Sequence, residues 1–442
     1  MQKIDTLLLA RWVIPIEPHN KYYEHHAVAI DRGRIVGILP NHEAETKYEA
    51  KNKITLSDHV ILPGLINAHT HSPMTLFRGL ADDLVLMDWL NNHIWPAESA
   101  WLSEAFVRDG TELALAEMIK SGTTCFNEHY FYPEQIATCT ISAKMRARIG
   151  IHVLESTTAP GNSSLEKAMQ NYATLSEYAR TYPGITLSLA PHAPYSVSDH
   201  ALQKIKTLSD EYQLPIHIHM HETTGEIQQE LAKHGKRPLR RLHELGLLSP
   251  RFQAVHMTQV NDEDIALLQE TGATIIHCPE SNLKLASGFC PVQRLLNAHV
   301  LVALGTDGAA SNNDLDMLSE MRTAALLAKA TAQDATALSA AMALRMATLD
   351  GARVLQLDRE IGSLEAGKAA DIIAVNLNRL NTQPVYNPIS QLVYAAHSDQ
   401  VTDVWVAGVP LLRNSHLTTL DEINILTKAK DWQQRIKNEP PN

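Results

Sequence analysis

The sequence predicts an α/β protein whose main body is a (β/α)8 barrel of the TIM type, with a small β-sandwich domain built from both chain ends. Two observations predict the barrel. Between residues 60 and 310, eight short apolar or β-branched runs alternate with amphipathic segments, and polar side chains stand where each run ends. Short strand-like pieces in both flanks predict the second domain. We therefore expect a catalytic barrel at 60–356 and a composite β domain, with a C-terminal tail, at 1–59 and 357–442.

The eight predicted strands are residues 60–68, 123–127, 149–154, 185–190, 215–219, 253–256, 273–277 and 300–305. The intervening segments 104–120, 165–180, 199–212 and 262–270 carry apolar residues at helical spacing. In such barrels the carboxyl ends of the strands form the active face, so the polar residues that follow the strands are expected to line one catalytic mouth. These residues are His69, His71, Glu128, Glu155, His192, His219, Glu222, His256, the segment 278–282 and Asp307.

The two chain ends have a different sequence pattern from the barrel region. Residues 6–14, 27–31 and 34–38 at one end, and 371–376 and 401–406 at the other, are short strand-like pieces broken by glycine and proline. Their similarity is why we assign both ends to one domain.

Composition excludes several functions. The 442 residues include 38 Lys+Arg and 49 Asp+Glu, which gives a formal charge of -11, and the sequence contains no basic run. The positively charged surface that binds nucleic acid is therefore not expected. No stretch approaches the roughly 18 apolar residues that a membrane span needs. The four cysteines form no Cys-x-x-Cys pair and nothing marks a secretory route, which favours the cytoplasm.

A first histidine pair, His69-Thr70-His71, ends the first predicted strand. The strand period of two sends both imidazoles to one face, which suits two nitrogens on one cation. In a chain with 22 histidines the isolated motif is a weak signal. The alternative is a pair of loop histidines that follow a strand.

A second group, His217, His219 and His221, is expected to share a face for the same reason, and spacing alone cannot choose among its members. We expect at least His217 to be a core histidine satisfied by backbone carbonyls. The neighbouring Glu222 has the alternative of a solvated carboxylate at a helix start.

His256 and Asp307 end two further strands, although Asp307 by itself resembles an ordinary turn residue. Three histidine nitrogens and one aspartate oxygen, from strands 1, 5 and 8, are zinc-type ligands that leave room for a water molecule. A bound divalent ion lowers the pKa of its water from 15.7 to about 7. His256 and Asp307 are then placed to accept the water proton, and Glu222, with a raised pKa, to protonate a ring nitrogen of the substrate.

Six segments resemble the amidohydrolase superfamily and, within it, the methylthioadenosine and S-adenosylhomocysteine deaminases of the chlorohydrolase-like branch. They are residues 63–71, 74–79, 191–195, 219–222, 281–285 and 304–313, and the resemblance runs over nearly the whole chain. It implies one zinc ion per subunit, with iron or manganese as alternatives, and a homo-oligomer. The implied metal ligands are His69, His71, His219 and Asp307; the implied substrate contacts are Glu98 and His192 near the ribose and Glu222 and Asp307 at the purine. Without the resemblance, Glu98 would be predicted to be an acidic residue on the surface.

The resemblance also implies a reaction, in which oxygen replaces the 6-amino group of an adenine nucleoside and ammonia is released. Some relatives grip the homocysteine carboxylate with arginines after the third strand, but residues 149–167 contain no arginine. This favours 5′-methylthioadenosine over S-adenosylhomocysteine, with adenosine as a further substrate. Relatives with two metals use a lysine near the fourth strand end, and residues 187–198 contain none, so one metal is expected.

The sequence is compatible with two other functions. A related amidohydrolase acting on guanine, 8-oxoguanine or a triazine would use the same catalytic residues and differ only in the pocket walls. A metal-free scaffold protein is a different class, but it would be expected to lack one of the four ligands. The His-x-Glu and Pro-Cys-x-x-Cys signature of cytidine deaminases is absent.

Overall fold

The protein is described by a computed structural model that covers residues 1–155 and 164–438. The strands in these residues are, in chain order, β1 Gln2–Val13, β2 Tyr23–Glu24, β3 His26–Asp31, β4 Arg34–Pro40, β5 Tyr48–Pro63, β6 Leu65–Thr70, β7 Thr123–Glu128, β8 Arg146–Val153, β9 Ile185–Pro191, β10 Ile216–Met220, β11 Phe252–His256, β12 Thr274–His277, β13 Val302–Leu304, β14 Ile372–Asn376, β15 Val401–Val406, β16 Val409–Arg413 and β17 His416–Leu417.

The helices are α1 Asn41–Lys47, α2 Leu86–Trp89, α3 Trp95–Trp101, α4 Glu104–Lys120, α5 Pro133–Ala143, α6 Leu165–Thr181, α7 Asp199–Tyr212, α8 Thr224–His234, α9 Pro238–Glu244, α10 Asp262–Thr271, α11 Pro279–Lys284, α12 Val292–Asn297, α13 Met317–Ala332, α14 Ala340–Met346, α15 Leu349–Val354, α16 Pro388–Tyr394 and α17 Glu422–Asn438. A π-helical turn, Leu90–Ile94, joins α2 to α3. Within the described part of the chain, no helix combines the length and the apolar character that crossing a bilayer requires.

Side-chain caps fix where the barrel helices begin. Ser103 accepts a hydrogen bond from a backbone N–H in the first turn of α4, and Ser198 and Asn261 do the same for α7 and α10. Such caps satisfy donors that have no partner inside the helix. All three helices start where the sequence predicts.

The barrel consists of β6 to β13, which pair in parallel in sequence order. Its two ends meet because the backbone N–H of Asp307 donates to His69 O at 3.0 Å, just beyond β13 and within β6. Gly305 permits this approach, since a Cβ there would lie 2.7 Å from His69 N. The predicted fold class is therefore confirmed as an eight-stranded, nearly closed parallel barrel, accompanied by a mixed sheet from both chain ends.

The first predicted strand, 60–68, is wrong as a single element. Val60 belongs to the end of β5 and pairs with Trp12 of β1 and Val375 of β14, whereas the barrel strand β6 begins only after Gly64. The apolar run is continuous in sequence, but it passes from one sheet to the other at this glycine. The division of the chain into 1–59 with 357–442 and 60–356 stays a prediction.

The mixed sheet has the strand order β17-β16-β15-β14-β5-β1-β3-β4, and β2 pairs with β1. The two chain ends meet where β5 and β14 run antiparallel. Leu8, Ile61, Ile372 and Trp405 form part of a buried cluster in this sheet. The sheet is tied to the barrel by an ion pair between Arg146 of β8 and Asp371, which precedes β14.

Candidate active site

Four metal-ligand atoms converge at the carboxyl ends of the barrel strands. His69 Nε2 lies 3.3 Å and His71 Nε2 3.1 Å from the same oxygen, Asp307 Oδ1. His219 Nε2 lies 3.3 Å from His69 Nε2. The structure thus brings together all four residues that the resemblance nominates as ligands, and their ligand atoms all lie within 4.8 Å of one another.

The hydrogen bonds behind two of these imidazoles determine their tautomers. His71 Nδ1 lies 2.5 Å from the carbonyl oxygen of His129, and His219 Nδ1 lies 2.7 Å from that of His192. A carbonyl oxygen only accepts, so the proton of each neutral ring is on Nδ1 and a lone pair is on Nε2. The lone pair of His71 then faces Asp307 Oδ1, and that of His219 faces Nε2 of His69. This arrangement is repulsive unless a cation lies among these atoms.

The spacing of the donor atoms fits such a cation. Nitrogen and oxygen ligands at about 2.0–2.1 Å from a tetrahedral zinc ion lie roughly 3.3 Å apart, which matches the contacts among His69, His71, His219 and Asp307. Second ring nitrogens bonded to carbonyls are also the usual outer support of metal-binding histidines. The donor set therefore fits a single divalent metal of the zinc type.

Asp307 is held on both of its oxygens. Oδ1 faces the histidines, while Oδ2 accepts hydrogen bonds from Ser281 Oγ at 2.6 Å and Ser311 Oγ at 3.1 Å. Burial by itself would raise the pKa of Asp307, but the neighbouring imidazoles of His69 and His71 hold it well below its usual value. The two serines lie in segments that carry the family resemblance, but the sequence pattern predicts no role for them.

Glu222 and His256 stand beside this cluster. His256 Nδ1 contacts Asn282 Oδ1 at 2.9 Å, and its Nε2 lies 3.8 Å from Glu222 Oε2. Burial raises the pKa of Glu222, and the nearby Asp307 raises it further, while His256 opposes the shift. A carboxyl group with a raised pKa keeps its proton to higher pH and is therefore better suited to act as a proton donor. Asn282 is a further residue to which the sequence gave no individual role.

Glu98 lies inside the pocket, not on the surface. It is on α3, is only 5% exposed, and its Oε1 accepts a hydrogen bond from Tyr130 Oη at 2.6 Å. Burial raises the pKa of Glu98 to about 7, although the bond from Tyr130 lowers it. On the same wall, His192 Nδ1 contacts Ser196 Oγ at 2.9 Å, and burial lowers the pKa of His192 to about 4. No sequence signal pointed to Tyr130.

The rest of the pocket wall is mainly apolar. Its side chains include Met74, Leu86, Trp89, Leu90, Ile94, Trp95, Phe131, Leu154, Tyr195 and Leu285. None of the lining residues that the structure describes is a lysine or an arginine. The pocket thus combines a polar, metal-type end with walls suited to a flat ring and an uncharged substituent.

Two acids expected at the catalytic mouth lie elsewhere. Glu128 accepts hydrogen bonds from the backbone of Ser72 and His129 and thereby holds the turn that follows β6. Glu155 accepts one from the backbone N–H of Ser198. Neither lines the pocket. A strand-end position alone therefore does not place a side chain at the mouth, because backbone donors nearby compete for the carboxylate.

The expectation that His217, His219 and His221 share a face is also wrong. The strand ends at Met220, His221 adopts a left-handed backbone with φ of 50°, and its Nε2 accepts from the backbone N–H of Leu239. His217 is buried as predicted, but the partner of its Nε2 is the ring of His69 and not a backbone carbonyl.

Comparison with known proteins agrees with this geometry. Residues 60–411 match the amidohydrolase family. The chain is 48% identical over 433 residues, 98% of this chain and 97% of the relative, to the 5-methylthioadenosine/S-adenosylhomocysteine deaminase of Saccharophagus degradans. It is 47% identical, covering 98% of both chains, to the protein of the same name from Teredinibacter turnerae.

Solved structures are similar as well. An adenosine deaminase from Xanthomonas campestris with bound zinc superposes with a TM-score of 0.96 at 48% identity over 99% of each chain. An atrazine chlorohydrolase from Arthrobacter aurescens shares the fold, with a TM-score of 0.89 at 22% identity over 97% of this chain and 99% of that one. With the family match spanning most of its length and relatives close to half identical throughout, this chain belongs to the amidohydrolase family.

Proposed function

We propose that this protein is a zinc-dependent deaminase that converts 5′-methylthioadenosine and water to the inosine analogue and ammonia. The observation that carries the proposal is the convergence of His69, His71, His219 and Asp307 at the end of a pocket that also contains Glu222. The names of the relatives that are close to half identical support the same reaction. Adenosine and S-adenosylhomocysteine are further substrates of this proposal.

The reaction adds water to the ring carbon that bears the amino group, and it then expels ammonia. A divalent cation held by His69, His71, His219 and Asp307 would lower the pKa of a bound water to about 7 and so would supply the nucleophile. Glu222, buried with a raised pKa, gives its proton to the neighbouring ring nitrogen. His256 and Asp307 would take the first proton released by the water and pass it to the departing amine. The second water proton, released when the ring C–OH becomes the carbonyl, would return to Glu222.

The pocket walls support an orientation for the nucleoside. With the purine beside Glu222, the ribose hydroxyls would meet Glu98 and His192. The 5′-substituent would then lie among apolar side chains such as Trp89 and Leu154. A carboxylate would lose hydration there without gaining a lysine or arginine partner from the described lining residues, which favours the methylthio group over homocysteine.

We also propose that the protein is a cytoplasmic homo-oligomer with one metal ion per subunit. Val85 is 67% and Met87 46% exposed, and exposed apolar surface of this kind is often covered in assemblies. The four cysteines are unpaired and buried, which supports a reducing setting. Sedimentation at assay concentration tests the assembly, and a monomer would contradict it.

The direct experiment is ammonia release from four compounds by the zinc-loaded protein: 5′-methylthioadenosine, adenosine, S-adenosylhomocysteine and guanine. We expect the highest kcat/KM for the first and none for guanine. Stripping the zinc with a chelator should abolish turnover, and adding zinc, iron or manganese back in turn identifies the metals that restore it. Inertness toward all four compounds with zinc bound would overturn the proposal.

A further inference from the structure

One of the three histidines at the metal centre is supported differently from the other two. His71 and His219 direct Nδ1 at backbone carbonyls, which every residue provides. His69 directs Nδ1 at a side chain, with His217 Nε2 2.9 Å away. With Nε2 of His69 bound to a metal ion beside Asp307, the proton of the neutral ring is on Nδ1, which donates it to His217. The orientation of His69 therefore depends on a residue that mutation can remove.

The position of His217 makes this contact specific. It lies on β10 two residues before His219, so the strand period sends both rings into the barrel. Its side chain is fully buried, and its ring stands nearly perpendicular to that of His69, at 85° with centroids 4.9 Å apart. In this arrangement the lone pair on Nε2 of His217 meets the N–H at the edge of the His69 ring.

The other nitrogen of His217 has no compensating contact. Nδ1 is buried and has no hydrogen-bond partner among the described residues. Buried polar atoms are normally paired, and an unpaired one lowers stability and calls for an explanation. An apolar residue would fill this part of the barrel without that cost, so space filling alone does not account for a histidine at position 217.

We propose that His217 is a positioning residue that holds the ring of His69 with Nε2 directed at the metal. The inference rests on the metal-dependent function proposed above. This role requires a hydrogen-bond acceptor at position 217. A packing role would require only a side chain of the right volume. Loss of such outer support typically weakens metal binding by about 10–100-fold.

The test measures the zinc dissociation constant of metal-stripped protein by competition with a chromogenic chelator. His217→Leu removes the acceptor and keeps the site filled, and we expect it to weaken zinc binding about 10–100-fold. His217→Gln offers a carbonyl oxygen to His69 and should recover most of the affinity. The matched control is His277→Leu on β12. It removes a histidine that is also buried and whose Nδ1 also has no hydrogen-bond partner among the described residues, and it should leave the affinity unchanged.

Thermal unfolding of the stripped variants separates folding from metal binding. If His217→Leu does not fold, the comparison passes to His217→Gln and His217→Asn, since asparagine is too short to reach His69. The proposal is overturned if His217→Leu binds zinc as tightly as the unchanged protein, or if the glutamine variant is as weak as the variant that lacks an acceptor. A protein that binds zinc but deaminates none of the nucleosides would refute the proposed substrate, while these affinities would still decide the role of His217.

Discussion

Ser281 Oγ lies 2.6 Å from Asp307 Oδ2, the carboxylate oxygen that does not face the histidines. The two oxygens therefore have different partners, since Oδ1 faces the histidines and accepts the backbone N–H of Gly308, while Oδ2 is held by serine hydroxyls. Ser311 reaches the same oxygen at 3.1 Å, so the anchor has two donors of unequal length.

We expect Ser281→Ala to weaken zinc binding and kcat/KM by about tenfold, because a hydrogen bond to a charged group contributes roughly 1.5–3 kcal/mol and Ser311 compensates in part. Chelator competition and steady-state kinetics measure the two effects. Ser311→Ala should have the smaller effect, as its bond is longer. The double variant should lose more than the sum of the two, and strict additivity would show that the serines do not share one task.

The pH dependence of substrate binding should report Glu98. Burial raises its pKa to about 7, so the carboxyl group is protonated below that pH and ionised above it. An ionised carboxylate accepts hydrogen bonds from both ribose hydroxyls, whereas the protonated form has lost part of this capacity. We therefore expect kcat/KM to fall as the pH drops through about 7.

Two variants assign this transition to Glu98 and not to Glu222. Glu98→Gln should remove it, since glutamine does not titrate. Tyr130→Phe should move it to higher pH, because the bond from the tyrosine hydroxyl lowers the pKa of Glu98. A transition that stays near pH 7 in Glu98→Gln would assign the titrating group elsewhere.

Local signals explain why the barrel could be predicted from the sequence. Each of α4, α7 and α10 begins at a capping residue and carries apolar residues at helical spacing, and both features are visible without knowledge of distant contacts. β5 was missed for the opposite reason. Its 16 residues pair with β1 and with β14, which lies some three hundred residues further along the chain, and no local pattern records this pairing.

The same distinction applies to the site. The spacing of His69 and His71 at a strand end predicts that they are metal ligands. No such spacing identifies the groups that support the ligands. Tyr130 reaches Glu98 from another element, and Ser281 reaches Asp307 across two neighbouring strand ends. Their roles depend on side-chain directions after the barrel closes.

The contact between barrel and mixed sheet should be a large contributor to stability. Arg146 donates two hydrogen bonds, of 2.6 and 3.1 Å, to the carboxylate of Asp371, and both side chains are largely buried. Arg146→Met leaves this carboxylate buried without its cation, which costs about 3–5 kcal/mol. Denaturant unfolding measures the loss. Arg146→Met combined with Asp371→Leu should be more stable than Arg146→Met alone, and equal destabilisation in both would argue against an uncompensated charge.

Leu154 offers the sharpest test of how the pocket selects its substrate. It follows β8 directly, is 8% exposed and lines the pocket where the 5′-substituent is proposed to lie. An arginine there can pair with a carboxylate through two parallel hydrogen bonds. A hydrogen bond between charged groups contributes roughly 1.5–3 kcal/mol, so Leu154→Arg should raise kcat/KM for S-adenosylhomocysteine relative to 5′-methylthioadenosine by about 10–100-fold.

Leu154→Met, which keeps the wall apolar, should leave this ratio as it is, and thermal unfolding of both variants shows whether the buried arginine disturbs the fold. If the arginine variant folds and the ratio does not change, the 5′-substituent lies against another wall, and the preference for the methylthio group needs a different cause.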